Sequence, residues 1–399
     1  MDVETIVIGA GQAGLAMSHQ LRGRSHVVFE RGRVGERWRS ERWDSLRLLT
    51  PNWLNRLPGA PALPDPDGYL GRGEFTRHLE SYGAGAPIRE RTTVVSVRRG
   101  RRGHRVVTDA GDWHARNVVI ATGDCGVPRI PAGHVPPFLH QLHAASYRRP
   151  ADLPEGGVLI VGAGPSGQQL ALELRQAGRD VILAVGRHAR MPRRYRGRDI
   201  FAWLRATGTL DQHADHVPNL AAARRAPSLP VSGSGPLGLD HLATLGITLT
   251  GRLEGFTHSH ASFADTLGSD LADADRRMFR ALSRIDAHIW LTRVDAPAPT
   301  RPPAVAVAAG PRRLDLRGRV STILWATGYR RAYPWLDEPI LDTGGEIAHR
   351  EGITRVPGLY ALGLRFQRTR KSHFIGGVGE DAAFIARAIA GETRVRRAA

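Results

Sequence analysis

Apolar residues in this chain come in short uninterrupted runs separated by glycine-rich turns. Thr5-Ile-Val-Ile8 passes through Gly9-Ala-Gly11-Gln-Ala-Gly14 into a helical stretch, Leu15 to Leu21, and then into a second run, His26-Val-Val-Phe29, that closes on Glu30. Runs that are apolar at every position, rather than at alternate ones, predict strands covered on both faces, as in a parallel sheet. The same order returns downstream: Val158-Leu-Ile-Val161, the turn Gly162-Ala-Gly164-Pro-Ser-Gly167, a helix over Gln168–Ala177 stopped by Gly178, and a strand over Asp180–Val185. Two strand–turn–helix–strand units predict an α/β fold with two Rossmann-like units.

Between and after these units the pattern changes. Gly73 to Tyr82 reads as a short helix, and Thr93–Arg98, Arg105–Asp109 and Asp112–Ala115 as a small meander with a hairpin turn at Asp109-Ala-Gly-Asp112. Asn117-Val-Val-Ile-Ala-Thr-Gly123 is a buried strand running into a small-residue turn, and Arg319 to Tyr329 repeats it, strand then Ala-Thr-Gly. Phe263, Leu267, Leu271, Met278, Phe279, Leu282, Ile285 and Ile289 recur at helical spacing within Ser262–Ile289. A core to pack on explains that helix, and a substrate-lining face is the other reading. Gly358-Leu-Tyr-Ala-Leu-Gly363 is a further strand-to-turn, and Gly376-Gly-Val-Gly-Glu-Asp381 caps a last helix, Ala382–Ile389. Pro58–Gly68 is a turn-rich connector, Pro128–Pro154 a proline-punctuated linker, and Val231-Ser-Gly-Ser-Gly-Pro236 a flexible segment, while the tail from Arg394 is expected to fray. The predicted division is 1–150 for the first unit, 151–318 for the second with a helical insertion near 198–295, and 319–399 for a return to the first.

The turns carry the chemistry. Gly9 and Gly162 permit a tight turn, and Gly11 and Gly164 let a pyrophosphate approach bare backbone. Gly14 and Gly167 let the helix pack on the sheet, and the unpaired N–H groups of the helix start face the anion. The two units differ after their second strand. Glu30 lies about 20 residues past the first glycine, where a carboxylate accepts hydrogen bonds from a free ribose. The second unit has Gly186-Arg187 there, followed by Arg190, Arg193, Arg194, Arg196 and Arg198, and guanidinium groups suit a 2′-phosphate. FAD is therefore expected at the first site and NADPH at the second; a general arginine bias is the competing account of that cluster. The segment from Gly32 to Trp53, rich in arginine and tryptophan, reads as an ordered loop lying on a ligand.

Composition narrows the picture. A chain of 399 residues with 41% hydrophobic and 24% charged residues is expected to form two soluble domains or slightly more. No apolar run approaches the roughly 18 residues of a membrane helix, and the start enters a strand at once, so a cytoplasmic protein without a membrane partner is expected. The net charge of +18 is almost all arginine spread along the chain, with Lys371 the single lysine. Without a basic helix or a nucleic-acid motif it predicts a basic surface and steering of anionic ligands, not nucleic-acid binding. Cys125 is the one cysteine, which excludes an internal dithiol, a disulfide and a cysteine-rich metal site. No metal is expected.

With Glu30, both Ala-Thr-Gly turns and both fingerprints in view, the chain resembles the class B flavin-dependent monooxygenase group, and within it the bacterial CzcO-like flavoproteins. Arg42-Trp-Asp-Ser-Leu-Arg-Leu48, His143-x-x-x-Tyr147-Arg148 and Pro192 to Arg198 are similar to segments of that branch. The group's linker signature keeps only His143 and Tyr147 here, with Pro137 and Leu139 in place of its Phe and Gly, and Gly35-Glu36 stands where paired glycines are usual. The resemblance implies that Gly9, Gly11, Gln12, Ala13, Gly14, Glu30, Arg31 and Trp38 hold FAD. Gly162, Gly164, Pro165, Ser166, Gly167, Arg187, Arg193 and Arg194 would hold NADPH. The turns Ala121-Thr122-Gly123 and Ala326-Thr327-Gly328, with Gly363, would line the cofactors. It further implies NADPH-driven oxygenation of a small molecule by O2 through a flavin C4a-(hydro)peroxide, by default at nitrogen or sulfur. The alternatives are a flavin reductase or oxidase of quinones or electron carriers, and a non-catalytic nucleotide-binding accessory protein. Asn52 is expected to donate a hydrogen bond to the flavin adduct, or else to bond its own turn. His143 and Tyr147 are expected to place the linker, and Arg370, His373 and Phe374 to face the flavin. A homodimer is the assembly considered.

Overall fold

The computed structural model describes residues 1–392 apart from 102, 233, 234 and 236. The expected flexible segment at 231–236 and the tail from 394 therefore fall partly and wholly outside the described residues. In chain order the elements that build the two units are β1 (Asp2–Ile8), α1 (Gln12–Gln20), β2 (His26–Phe29), α2 (Glu36–Ser40), α3 (Arg72–Gly83), β3 (Ile88–Arg89), β4 (Val94–Gly100), β5 (Gly103–Thr108) and β6 (Gly111–Ile120). Then come β7 (His140–His143), β8 (Gly157–Val161), α4 (Pro165–Gln176), β9 (Val181–Ala184), α5 (Ile200–Ala206), β10 (Thr248–Thr250), β11 (Leu253–Phe256), β12 (His260–Phe263) and α6 (Leu267–Thr292). β13 (Arg313–Asp315), β14 (Val320–Trp325), β15 (Leu359–Ala361) and α7 (Val378–Ile389) complete the set.

The first sheet runs β3-β2-β1-β6-β5-β4, with β15 also paired to β6. Its centre is parallel: Ile6 lies opposite Val27 and Val118, and Ile8 opposite Phe29 and Ile120. Ile6, Val7, Val28 and Val119 are fully buried, so the unbroken apolar runs reflect a sheet covered on both faces. β4, β5 and β6 form the antiparallel meander. The last meander strand and the buried strand expected after it are one strand, β6, which is half solvated at its start and buried at its end.

The second sheet runs β10-β9-β8-β14-β7, all parallel. This corrects the predicted boundaries. The sequence pattern puts β14 at the start of the return to the first unit and β7 in the linker, yet both lie in the second sheet. A short apolar run states that a strand is buried but not which neighbour it has, so sequence could not place either. The return to the first unit begins at Tyr333, which with Leu336 and Ile340 joins the core of Ile6, Ile8 and Val97, and it is completed by β15 and α7, which packs on α1. Ser262 belongs to β12 and not to the amphipathic helix, which begins at Leu267. The insertion is also not wholly helical, since β11, β12 and β13 form a three-stranded sheet.

Leu271, Met278, Leu282, Ile285 and Ile289 of α6 are buried. The last four share a core with Ile200, Phe201 and Trp203 of α5, and Trp53, Leu54 and Phe374 of the first unit pack against it. That apolar seam seats the insertion on the first unit's loops. Among the described residues no helix is long and apolar enough to cross a membrane.

Candidate functional site

Three glycines of the first turn are small for three different reasons. Gly9 has φ +105°, and a Cβ on it would lie 2.8 Å from the Ala121 carbonyl oxygen. A Cβ on Gly14 would lie 1.7 Å from the Gly9 carbonyl oxygen, so only glycine lets α1 start there. A Cβ on Gly11 would meet nothing within 4 Å. The first two are required by the protein's own packing, whereas the third keeps open space beside the helix start, where Gly11 is the N-cap in extended conformation. Open space at amide-rich backbone is what an anion requires.

Glu30 stands at the end of β2 with both oxygens anchored. Oε2 accepts from the Ala10 amide at 2.8 Å and Oε1 from the Gly32 amide at 3.0 Å. Each oxygen keeps a lone pair for a further donor. Trp38 stacks edge-on against Phe75, ring centroids 4.8 Å apart, and its indole N–H reaches Gln12 Oε1 at 3.5 Å. Gly363 sits at the end of β15 with φ +85°, and a Cβ there would come within 2.9 Å of Ala13 Cβ. Arg31 is exposed, and its ion pair is with Glu41 at 3.4 Å. The structure thus gathers Gly9 through Gly14, Glu30, Trp38, Ala121 and Gly363 at one sheet edge and leaves Arg31 on the surface.

The second turn reproduces the first. Gly162 has φ +110° and faces the Ala326 carbonyl oxygen at 2.6 Å from its would-be Cβ, Gly167 faces the Gly162 carbonyl oxygen at 1.8 Å, and Gly164 faces open space. Pro165 takes the first position of α4, where its missing N–H costs nothing. The second Ala-Thr-Gly therefore belongs to the second turn as the first belongs to the first turn. Thr327 donates its hydroxyl to the Arg129 carbonyl, and the Gly328 carbonyl accepts from His143 Nε2 at 3.0 Å.

The two units part ways after the second strand of each. Beyond β9, Arg187 is exposed, with no hydrogen bond or ion pair among the described residues, and the Arg252 side chain lies 3.6 Å from the Cβ position of Gly186. Arg277 donates to the His188 carbonyl at 2.8 Å; burial and the nearby Arg187 charge lower its pKa. Arg193, expected among the cofactor ligands, is engaged elsewhere: Nε donates to Asp199 at 2.7 Å, Nη1 to the Leu49 carbonyl at 2.7 Å, and the guanidinium lies over Tyr69 at 4.5 Å. Arg194 is exposed and donates to the Gly197 carbonyl at 2.6 Å. Arg190 and Arg196 pair with Asp275 and Asp286. Arg190, Arg193 and Arg196 thus neutralise local carboxylates, and Arg193 ties the insertion to the first unit, while Arg198 lies over the Trp203 ring. Beside Gly186, Arg187 and Arg252 are without an ion pair among the described residues and face an anion there, and Arg252, far along the chain from the turn, offers no signal in sequence.

Asn52 is a second correction. Its side chain is buried, its Nδ2 donates to the carbonyls of Pro64 and Asp65 at 3.1 and 3.0 Å, and its Oδ1 accepts from the Leu70 amide at 3.2 Å. Both amide hydrogens hold the 64–70 loop, leaving none for a ligand. Neither expected bond is seen: the side chain holds the 64–70 loop rather than its own turn, and it has no amide hydrogen left over for a flavin adduct.

The junction between the units centres on Arg42, to which the sequence pattern assigns no role. Its guanidinium donates to Tyr329 Oη at 3.2 Å and approaches Cys125 Sγ at 3.5 Å, lying 5.3 Å from the Trp38 ring. His143 accepts from the Ala145 amide on Nδ1 at 3.1 Å and donates from Nε2 to Gly328. That is a neutral tautomer, consistent with burial lowering its pKa. Tyr147 is buried beside Glu173 of α4, whose carboxyl burial pushes up to about 7. Of the returning segment, Arg370 donates to Gln212 at 2.7 Å and Phe374 packs edge-on against Phe201, so both are tied to the insertion. His373 is pushed down to about 4 by burial and by Arg365, and its Nδ1 and the Nε of Arg370 are buried without a hydrogen-bond partner among the described residues. Among the described residues no group of three or more His, Cys, Asp or Glu side chains could hold a metal ion.

Comparison with known proteins agrees with this geometry. The sequence profile of the pyridine nucleotide-disulphide oxidoreductase family matches residues 6–207. An uncharacterized CzcO-like oxidoreductase of Geobacillus kaustophilus is 34% identical over 393 residues, covering 96% of this chain and 97% of that protein. The indole-3-pyruvate monooxygenase YUCCA1 of Oryza sativa is 27% identical, over 90% of this chain and 86% of its own length. Among solved structures, a flavin-containing monooxygenase from Stenotrophomonas maltophilia superposes with a TM-score of 0.66 at 22% identity, over 98% of each chain, a likeness of fold.

Proposed function

The chain belongs to the pyridine nucleotide-disulphide oxidoreductase family, among the CzcO-like oxidoreductases, and from that premise we propose that it is an FAD-dependent, NADPH-consuming monooxygenase acting on a small molecule. The observation that carries the reading is the pair of equivalent turns, each with a middle glycine facing open space, one beside an anchored carboxylate and the other beside free guanidinium groups. The family's internal dithiol chemistry does not apply, because Cys125 is the only cysteine.

Gly9, Gly11, Gly14 and the first amides of α1 would hold the FAD pyrophosphate, and Glu30 the adenosine ribose. Glu30 ends β2, on one side of β1, while β6 and β15 lie on the other side. The Gly363–Gly376 segment would then hold the flavin half, because its His373 Nδ1 and Arg370 Nε, buried without partners among the described residues, are groups that a polar ring edge would satisfy. Gly162, Gly164, Gly167 and the start of α4 would hold the NADPH pyrophosphate, with Arg187 and Arg252 at its 2′-phosphate. Held there, FAD would supply the redox chemistry between NADPH and O2. The protein supplies placement. Arg42, reaching from the first unit to Tyr329, fixes the 326–329 turn against that unit, and His143 braces the same turn from within the second sheet, so that the two cradles hold a constant relation. Trp53, Leu54 and Phe374 with α5 and α6 place apolar surface beside that relation, and exclusion of water there favours oxygen transfer over release of peroxide. On this assignment the FAD unit comprises roughly 1–128 and 333–392, and the NADPH unit 140–325. The names of the rice and Stenotrophomonas proteins, both monooxygenases, support oxygenation, and the preference for nitrogen or sulfur as acceptor rests on the family resemblance alone.

The test uses the purified protein. It should be yellow and be bleached by NADPH under anaerobic conditions. When the reduced protein meets O2 with NADP+ present, return of the oxidised-flavin absorbance should lag O2 consumption by seconds. Simultaneous return and peroxide release would make it a reductase or oxidase. Colourless protein that cannot be reconstituted would remove the reading altogether.

A further inference from the structure

At the opposite end of the first sheet from Gly11 lies a second charged feature that neither cofactor explains. An open cleft of about 310 Å³ is lined by Arg99, Arg101, Arg116, Asn117, Pro357 and Gly358. It is framed by the tip of the β4–β5 hairpin, the middle of β6 and the turn that leads into β15. Gly11 stands at the carboxyl ends of β1 and β6, whereas Gly358 precedes the amino end of β15, so the two places are separated by the length of the strands.

Its walls are fixed by backbone. A Cβ on Gly103 would lie 2.3 Å from the Ala115 carbonyl oxygen and one on Gly358 2.3 Å from that of Arg116, so hairpin and turn both press on β6. Beneath them the buried His104 ring donates from Nε2 to the Pro357 carbonyl at 3.1 Å. The three arginines rim the cleft without a carboxylate: among the described residues none of their side chains has an ion pair or a hydrogen bond. Of the acids on these elements, Glu4 pairs with Arg24 at 2.8 Å and Asp112 with Arg105, while the buried Glu338 carboxylate acts on His104 beneath the cleft and has no ion pair to the three arginines. This contrasts with the arginine cluster at 190–196, where the carboxylates of Asp199, Asp275 and Asp286 sit within the same local structure. Guanidinium groups that line one cleft without an ion pair leave its positive charge uncompensated, and planar forks of donors match phosphate oxygens in pairs.

We propose that this cleft binds a small anion bearing two linked phosphate groups, at a site separate from both cofactor cradles. Arg116, in the middle of β6, and Arg99, at the end of β4, hold the ligand across the sheet face, and Arg101 closes on it from the hairpin tip. The amide of Asn117, which donates toward the Glu4 carbonyl at 3.4 Å, keeps its carbonyl oxygen for a hydroxyl of the ligand.

The probe is inorganic pyrophosphate, titrated calorimetrically into the flavin-loaded protein with NADP+ saturating, so that neither cradle is available. One saturable site per chain is expected, weakened at least tenfold in Arg101→Glu/Arg116→Glu and at least threefold in the milder Arg116→Gln, with flavin content and bleaching by NADPH unchanged. Orthophosphate should compete more weakly, and sulfate at equal ionic strength should not reproduce the effect. Absent saturation, binding undiminished in both variants, or equal response to any salt would overturn the proposal. Binding of an acidic polymer but not of pyrophosphate would overturn it too, in favour of a macromolecular surface. Because cofactor loading is measured separately, failure here leaves the flavoprotein reading standing, and failure of that reading leaves this site testable.

Discussion

The two glycine-rich turns are nearly the same object built twice. The would-be Cβ clashes at their first glycines are 2.8 and 2.6 Å, those at their third 1.7 and 1.8 Å, and the middle glycine faces open space in each. Each first glycine is pressed by the alanine carbonyl of an Ala-Thr-Gly turn. Past the helix start the likeness ends. The first unit places an anchored carboxylate after its second strand, the second an exposed arginine; where α1 ends in Gln20, the equivalent place in α4 carries the half-buried Glu173. The shared part binds what the two ligands have in common, a pyrophosphate. The differing part distinguishes them.

That division can be broken most severely at the third glycines. Gly14→Ala and Gly167→Ala each force a methyl into a carbonyl oxygen that cannot move, a local cost of about 3 kcal/mol. Gly14→Ala should give colourless protein. Gly167→Ala should give yellow protein that NADPH no longer bleaches, as read by the flavin-to-protein absorbance ratio and anaerobic reduction. If both come out colourless, the two units do not act separately.

A smaller effect sharpens the distinguishing residues. Glu30→Gln removes charge from a carboxylate that holds two amides, and FAD affinity should fall by about 2 kcal/mol, roughly thirtyfold, in equilibrium dialysis. Arg187→Ala should raise the KM for NADPH about tenfold and leave that for NADH unchanged, since only the former carries a 2′-phosphate. Arg193→Ala should do the reverse, lowering thermal stability while leaving the NADPH-to-NADH ratio alone, because its partners are Asp199 and the Leu49 carbonyl. A selectivity change in Arg193→Ala would restore it to the cofactor site.

The smallest effect concerns Gln20 and Glu173. Burial raises the Glu173 pKa to about 7, above its unfolded value, so the neutral carboxyl favours the fold below the unfolded value and that contribution is lost as pH rises through 7. Glu173→Gln should therefore be more stable than the parent at pH 8 by about 1 to 2 kcal/mol, with the difference vanishing near pH 4 in denaturant titrations. Gln20→Glu, at the matching place in α1, should show no such crossing.

The reach of the sequence divides along the same line. The turn glycines, Glu30 and the helix starts are legible because their causes lie within a few residues of one another. The neighbours of β7 and β14 are not, because a parallel strand's partners are fixed across long stretches of chain by which faces remain uncovered. Asn52 misleads because the group its amide bonds, the 64–70 loop, is a matter of loop path. Arg193 misleads because an arginine's partner depends on which carboxylate the fold brings near.

Sequence by itself determined that there are two diphosphate-shaped turns, that one is followed by an acid and the other by a base, and that no dithiol exists. Those are local facts, set by backbone angles and by spacing along one strand and one helix. Only the tertiary structure decided which arginines remain free, that Arg42 joins the units while His143 braces the turn it meets, and that three arginines line one cleft beside β6. Charge is neutralised in space, and residues far apart in the chain become partners only when the sheets bring them together.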